Sequence, residues 1–225
     1  MLGHPARTTG CTAPSVPDTA DIARILAERF AAYPGVGVVV GIIDAGGRRI
    51  VARGVQSARD PRPVDGNTVF EIGSITKSFT TLILTDMVSK GELGMNDPVQ
   101  RFLPTTVRVP RRGNKGITLA HLATNVSGLP DNPIDVFPTR YEDFHAGYVA
   151  TEAELLELLN RYELTSDPGE KMGHSNVGTG LLGYALARHA GMSYSALLEP
   201  RVTGPLGLPS TRLTVTPDMA RRRAT

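Results

Sequence analysis

The sequence predicts an α+β domain in which one helix and a β-hairpin are followed by a long, mainly helical stretch. Three observations carry that reading. Apolar residues at helical spacing over 18–33 precede a compact β-branched stretch, a Gly- and Pro-free run occupies 74–90, and later helical patterns are separated by loops rich in Pro, Asp and Gly. No internal repeat and no regular strand-helix alternation occurs, so a doubly wound parallel sheet is not expected.

Residues 1–18 hold Gly, Pro, Thr and Ser without periodicity and are expected to form a flexible leader; residues 19–225 follow as one incomplete domain, divided into a helix plus hairpin over 19–57 and a nucleophile helix with a mainly helical region over 58–225. Ile22, Ile25, Leu26 and Phe30 recur at helical spacing, with Asp18 or Thr19 available as cap. Residues 35–43 and 48–53 read as strands, and Asp44-Ala45-Gly46-Gly47 supplies the turn between them. A polar loop is expected next. Over 74–90, Phe79, Leu82, Ile83 and Met87 mark an apolar helix face that Gly91 terminates. Short helices are expected over 97–102, 118–123, 152–161 and 177–190.

Bulk properties narrow the function classes. A chain of 225 residues with 40% apolar content can bury a sizeable core, which excludes a disordered chain. Net charge is +2, and basic residues cluster only at Arg48-Arg49, Arg111-Arg112 and Arg221-Arg222-Arg223; those runs read as solvated surface, and no nucleic-acid partner is expected. The single cysteine, Cys11, excludes an internal disulfide framework. The longest apolar run, 36–43, is too short and Gly-rich to span a bilayer, so no transmembrane segment is expected. Thr8-Thr9-Gly10-Cys11 faintly resembles a lipoprotein cleavage site but lacks a preceding apolar core, and no export signal is visible.

Chemistry is suggested first by Ser74 and Lys77. A hydroxyl is a poor nucleophile at neutral pH and needs an adjacent base together with donors for the developing oxyanion. Positions i and i+3 share a helix face, which brings a lysine amine within reach of the serine oxygen. Gly73 would let a substrate approach the backbone, and a helix N-terminus favours negative charge and a neutral amine. A Ser-x-x-Lys match also arises by chance, and the bland alternative is a helix cap beside an exposed lysine.

The neighbouring segments bear on that choice. Phe70-Glu71-Ile72-Gly73-Ser74-Ile75-Thr76-Lys77-Ser78-Phe79-Thr80 resembles the nucleophile segment of the serine β-lactamase and penicillin-binding protein superfamily, nearest its class C-like branch. Gly91-Glu92-Leu93, Asn96-Asp97-Pro98-Val99, Phe102-Leu103-Pro104, Ser127-Gly128-Leu129-Pro130 and Pro168-Gly169-Glu170-Lys171 continue the likeness, which runs roughly over 35–215. The resemblance implies a β-lactamase/transpeptidase-like fold, acyl-enzyme chemistry on an amide or ester, and neither metal nor organic cofactor. An α/β-hydrolase is not supported, because no Gly-x-Ser-x-Gly elbow occurs.

Two departures stand out. Where the family pattern has Tyr-x-Asn, this chain has His174-Ser175-Asn176. The family role of asparagine, orienting lysine and substrate, carries over to Asn176. The tyrosine role does not, and His174 is either a replacement acid/base or a structural residue. An imidazole ordinarily titrates near about 6.5 against about 10 for a phenol, and it is the shorter group. The third motif, Lys-Thr-Gly or His-x-Gly on a late strand, is not found. His189-Ala190-Gly191 follows Asn176 too closely and reads as a helix C-cap, while His145-Ala146-Gly147 precedes the second motif. The C-terminal strands of the sheet are therefore expected to be missing from residues 19–225.

The leading expectation is a serine hydrolase acting through Ser74, with Lys77, His174 and Asn176 as site residues and a β-lactam, D-amino-acid peptide or ester as the small-molecule or peptide substrate. The alternatives are an inactive binding module and a truncated remnant. An apolar edge over 36–43 left without its partner strands predicts self-association. The compartment is open, although the family is often exported.

Overall fold

Asp18 opens the first helix by accepting a 2.8 Å hydrogen bond from Asp21 N, which settles the cap between the two candidates. This helix, α1, spans Thr19–Arg29 and packs on a hairpin of β1 (Val38–Asp44) and β2 (Gly47–Arg53). The computed structural model describes residues 16–33, 37–136 and 151–224. Most of the expected leader, with Cys11, lies outside them. Within the hairpin Asp44 pairs with Gly47, so Ala45-Gly46 is the two-residue turn; Gly46 N binds Asp44 Oδ1 at 2.8 Å, and Gly47 has φ +100°. Ile42 and Val51 lie on one face and are buried, whereas Ile43 on the other is 85% exposed.

The loop expected over 54–73 is partly structured. Val55–Ser57 (β3) and Asp60–Pro63 (β4) form a second small antiparallel pair. Strands this short, one carrying two prolines, give no readable alternation, which is why the pattern does not announce them. Val69 then bridges to the chain end: Val69 N binds Arg222 O at 2.9 Å and Ala224 N binds Val69 O at 3.0 Å, beside a short helix, Pro217–Arg222. These elements make one compact unit, drawn from Met1–Glu71 and Val215–Thr225.

The second unit, Ile72–Thr214, is mainly helical. Its α2 (Thr76–Ser89) buries Thr80, Ile83, Leu84 and Met87, a spacing of three, one and three that keeps them on one side. Gly91 follows at φ +70°, the left-handed end expected for it. After a 3-10 turn at Val99–Phe102 come the two-residue strands Arg111–Arg112 (β5) and Lys115–Gly116 (β6), then α3 (Leu119–Ala123) capped by Thr118, and α4 (Glu152–Arg161) capped by Thr151. Asp167 meets Arg112 at 3.2 Å and Lys115 at 2.8 Å, so part of the basic cluster is ion-paired.

The centre of this unit is α5 (Asn176–Ala190), which contacts α2, α3 and α6 (Tyr194–Leu198). Its Leu181, Leu182, Ala185 and Leu186 are fully buried and join Ile83, Leu84, Leu119, Leu122 and Leu158 in one core. Glycine is needed on α5 for space. A Cβ on Gly183 would stand 3.2 Å from the Tyr194 ring, so any larger residue there would force the ring to give by a few tenths of an ångström. Gly191, at φ +68°, ends α5, confirming that His189-Ala190-Gly191 is a helix terminus; His189 stacks edge-on against Phe102. The other His-x-Gly match, at 145–147, lies outside the described residues.

No described helix is long and apolar enough to cross a membrane.

Candidate active site

Ser74 lies in a 3-10 turn, Gly73–Ile75, that runs straight into α2. Gly73 has φ +50°, and a Cβ there would meet nothing, so the backbone conformation rather than crowding favours glycine. The turn and the first residues of α2 set Ser74 and Lys77 together: Nζ is 2.9 Å from Ser74 Oγ. Lys77 Nζ also donates to Asn176 Oδ1 at 2.6 Å, across 99 positions of sequence.

Asn176 is held there by a loop over 125–132 laid along the segment before α5. Gly169 N binds Val126 O and Gly173 N binds Asn125 O, each at 2.8 Å, and Asn176 N and Val177 N both donate to Asp131 O, at 2.9 and 3.2 Å. Asn125 at φ +57° and Gly128 at φ +77° turn the loop into this path. Ser175, almost fully buried, locks the junction: its Oγ donates to Pro130 O at 2.6 Å and accepts from Gly178 N at 2.8 Å, capping α5.

The amide of Asn176 is oriented from its far side as well. Its Nδ2 donates to Asn132 Oδ1 at 2.9 Å and to Asp131 Oδ1 at 3.3 Å, which leaves Oδ1 facing the lysine. His174 closes the series, with Nδ1 2.8 Å from Asp131 Oδ1. A continuous run of polar contacts thus joins Ser74, Lys77, Asn176, Asp131 and His174. Among the described residues His174 makes no hydrogen bond to Ser74 or Lys77, and no tyrosine does either. The shorter imidazole turns to the loop carboxylate instead.

All four residues named from sequence are therefore in this region, three in direct contact and His174 linked through Asp131. Asp131 and Asn132 were not singled out. The available signal was their place directly after Ser127-Gly128-Leu129-Pro130, a segment already marked by resemblance.

Next to this run, Asn132 and Asn176 line a cavity of about 1100 Å³ walled by α2, α4, α5 and the start of α6. Tyr194 OH meets Thr80 Oγ1 at 2.7 Å on its wall, and burial pushes the Tyr194 phenol up. Burial and a hydrogen bond to Glu152 do the same to Tyr184.

Solved structures share this fold. The Yersinia pestis β-lactamase/D-alanine carboxypeptidase complexed with citrate superposes with TM-score 0.76 at 26% identity, over 92% of this chain and 60% of that one. A class C β-lactamase from Rhodobacter sphaeroides gives TM-score 0.72 at 28% identity, over 92% and 54%. In sequence, the D-alanyl-D-alanine-carboxypeptidase/endopeptidase AmpH of Escherichia coli (strain K12) is 33% identical over 164 residues, covering 69% of this chain and 40% of the relative. The model of the Beta-lactamase family matches residues 22–225. The chain belongs to that family, on the class C-like branch of the serine β-lactamase and penicillin-binding protein superfamily. It spans 40% of the length of the AmpH relative.

Proposed function

We propose that the chain carries the nucleophile half of a serine hydrolase site acting on an amide or ester carbonyl, of the β-lactam, D-amino-acid peptide or ester kind. The observation that carries this reading is Lys77 Nζ held at 2.9 Å from Ser74 Oγ and 2.6 Å from Asn176 Oδ1. Lys77 Nζ donates to Ser74 Oγ in this structure, and to act as a base the amine accepts the hydroxyl proton through its lone pair. The Asn176 carbonyl occupies an N–H of that amine and turns its lone pair to the serine.

Ser74 Oγ bonds the carbonyl carbon, its proton passes to Lys77 Nζ, and the bond to the leaving nitrogen or oxygen breaks as that atom takes up a proton. That proton comes from Lys77 Nζ; water then attacks the acyl carbon, its proton passes to Lys77, and Lys77 returns it to Ser74 Oγ as the ester C–O bond breaks. The relatives, a carboxypeptidase/endopeptidase and β-lactamases, support this substrate class. A non-catalytic binding module is the second reading. His174 favours it, because the imidazole bonds Asp131 and neither reacting residue.

The test is covalent. Incubation with a fluorescent penicillin and, separately, a fluorophosphonate should add one probe mass to the intact protein, and Ser74→Ala should abolish the adduct. A folded protein that takes neither probe would remove the hydrolase reading and leave the binding module.

A further inference from the structure

We propose that Asp131 is the positioning residue of an imidazole proton relay, fixing His174 as the Nδ1–H tautomer with Nε2 free to accept a proton. This rests on the Ser74 hydrolase reading and extends it to a residue outside the resembling motifs.

One oxygen does most of this work. Asp131 Oδ1 lies 2.8 Å from His174 Nδ1 and takes Asn176 Nδ2 at 3.3 Å and Asn176 N at 3.4 Å. Both non-serine members of the second motif are therefore referred to the same carboxylate. A carboxylate only accepts, so the imidazole nitrogen facing it carries a hydrogen, and in the neutral ring the other nitrogen is then bare. That is the arrangement by which an aspartate turns a histidine into a base, and it does not require sequence neighbours.

Stability alone does not account for the pairing. The His174 and Asp131 side chains are 53% and 45% exposed, and polar contacts that open to solvent contribute little to stability. The backbone explains its precision better, since Asp131 O is bound by two amides of the α5 start, which sets its carboxylate against His174.

The experiment uses the whole chain and four proteins: wild type, Asp131→Asn, His174→Tyr and the double variant. Long-range proton–nitrogen spectra, with the His174 signal assigned by its loss in His174→Tyr, should show neutral His174 protonated at Nδ1 in wild type and shifted toward Nε2–H in Asp131→Asn. An Nε2–H tautomer in wild type, or no change in Asp131→Asn, overturns the proposal. In fluorophosphonate labelling, Asp131→Asn should slow acylation of Ser74 by at least about tenfold, and by much less in the His174→Tyr background. Equal losses in both backgrounds overturn it, showing that Asp131 acts through Asn176 or the loop alone. If wild type takes no label, the hydrolase reading fails by itself and the tautomer still decides the assignment to Asp131.

Discussion

In the helical unit Leu84, Leu119, Leu158 and Leu182 are fully shielded from solvent, whereas the best-buried side chains of the hairpin unit, Met219, Val64, Leu26, Val51 and Ile42, all keep some exposure. The helical unit closes a core around α5. The hairpin unit consists of two-stranded pairs and short helices, a size of sheet that is marginal without further cover. Ser74, Lys77, Asp131, His174 and Asn176 all belong to the helical unit. The contrast teaches where the geometry of the site comes from: hydrogen bonds set to tenths of an ångström are carried by elements with a packed core of their own.

The sharpest way to break that comparison is to make the same substitution in both units. Leu182→Ala should cost about 4–5 kcal/mol and Leu26→Ala about 2 kcal/mol, because a fully enclosed side chain leaves a cavity that cannot collapse or hydrate. Urea denaturation followed by circular dichroism measures both, and an equal or larger cost at Leu26 would erase the distinction.

A smaller effect is expected from the ion cluster that joins α2 to the segment after α6. Arg201 contacts Asp86 at 2.8 Å and Glu92 at 2.7 Å. Lys90 and Arg201 together hold the Asp86 carboxyl below its usual range, and Arg201 does so for Glu92. Carboxyls lowered in the folded state stabilise it fully above the ordinary carboxylate range and lose that contribution as pH falls through the lowered values. Arg201→Gln should therefore cost about 1 kcal/mol at neutral pH, with the gap closing below about pH 4. A gap that persisted in acid would show that Arg201 acts by packing.

The smallest expected change in stability, within about 0.5 kcal/mol, is at Ile43, whose exposed side chain loses little on replacement. If the sheet face that carries Ile43 mediates self-association, Ile43→Ser should reduce it, measured by sedimentation velocity across concentrations. Unchanged association, or a monomeric wild type, would count against that surface.

Much of the helical unit was legible because helices announce themselves locally. Thr118, Thr151 and Ser175 cap the helices that follow them, and Gly91 and Gly191 end theirs in the left-handed conformation. The β3–β4 and β5–β6 pairs were not read, since strands of two to four residues show no period. The bridge from Val69 to Arg223 was hidden for another reason: its partners lie far apart in the chain.

By itself, the sequence determined that Ser74 and Lys77 share one turn, because a spacing of three at a helix start is a local property of the backbone. It also placed His174 two residues before Asn176 at the mouth of α5. Only the tertiary structure decided what each of them touches. Asn176 reaches Lys77 across the sequence because α2 and α5 pack on a common core, and His174 meets Asp131 because the loop over 125–132 is bonded along the start of α5. Burial and backbone pairing between distant segments set those contacts, and neither has a period that can be read along a chain.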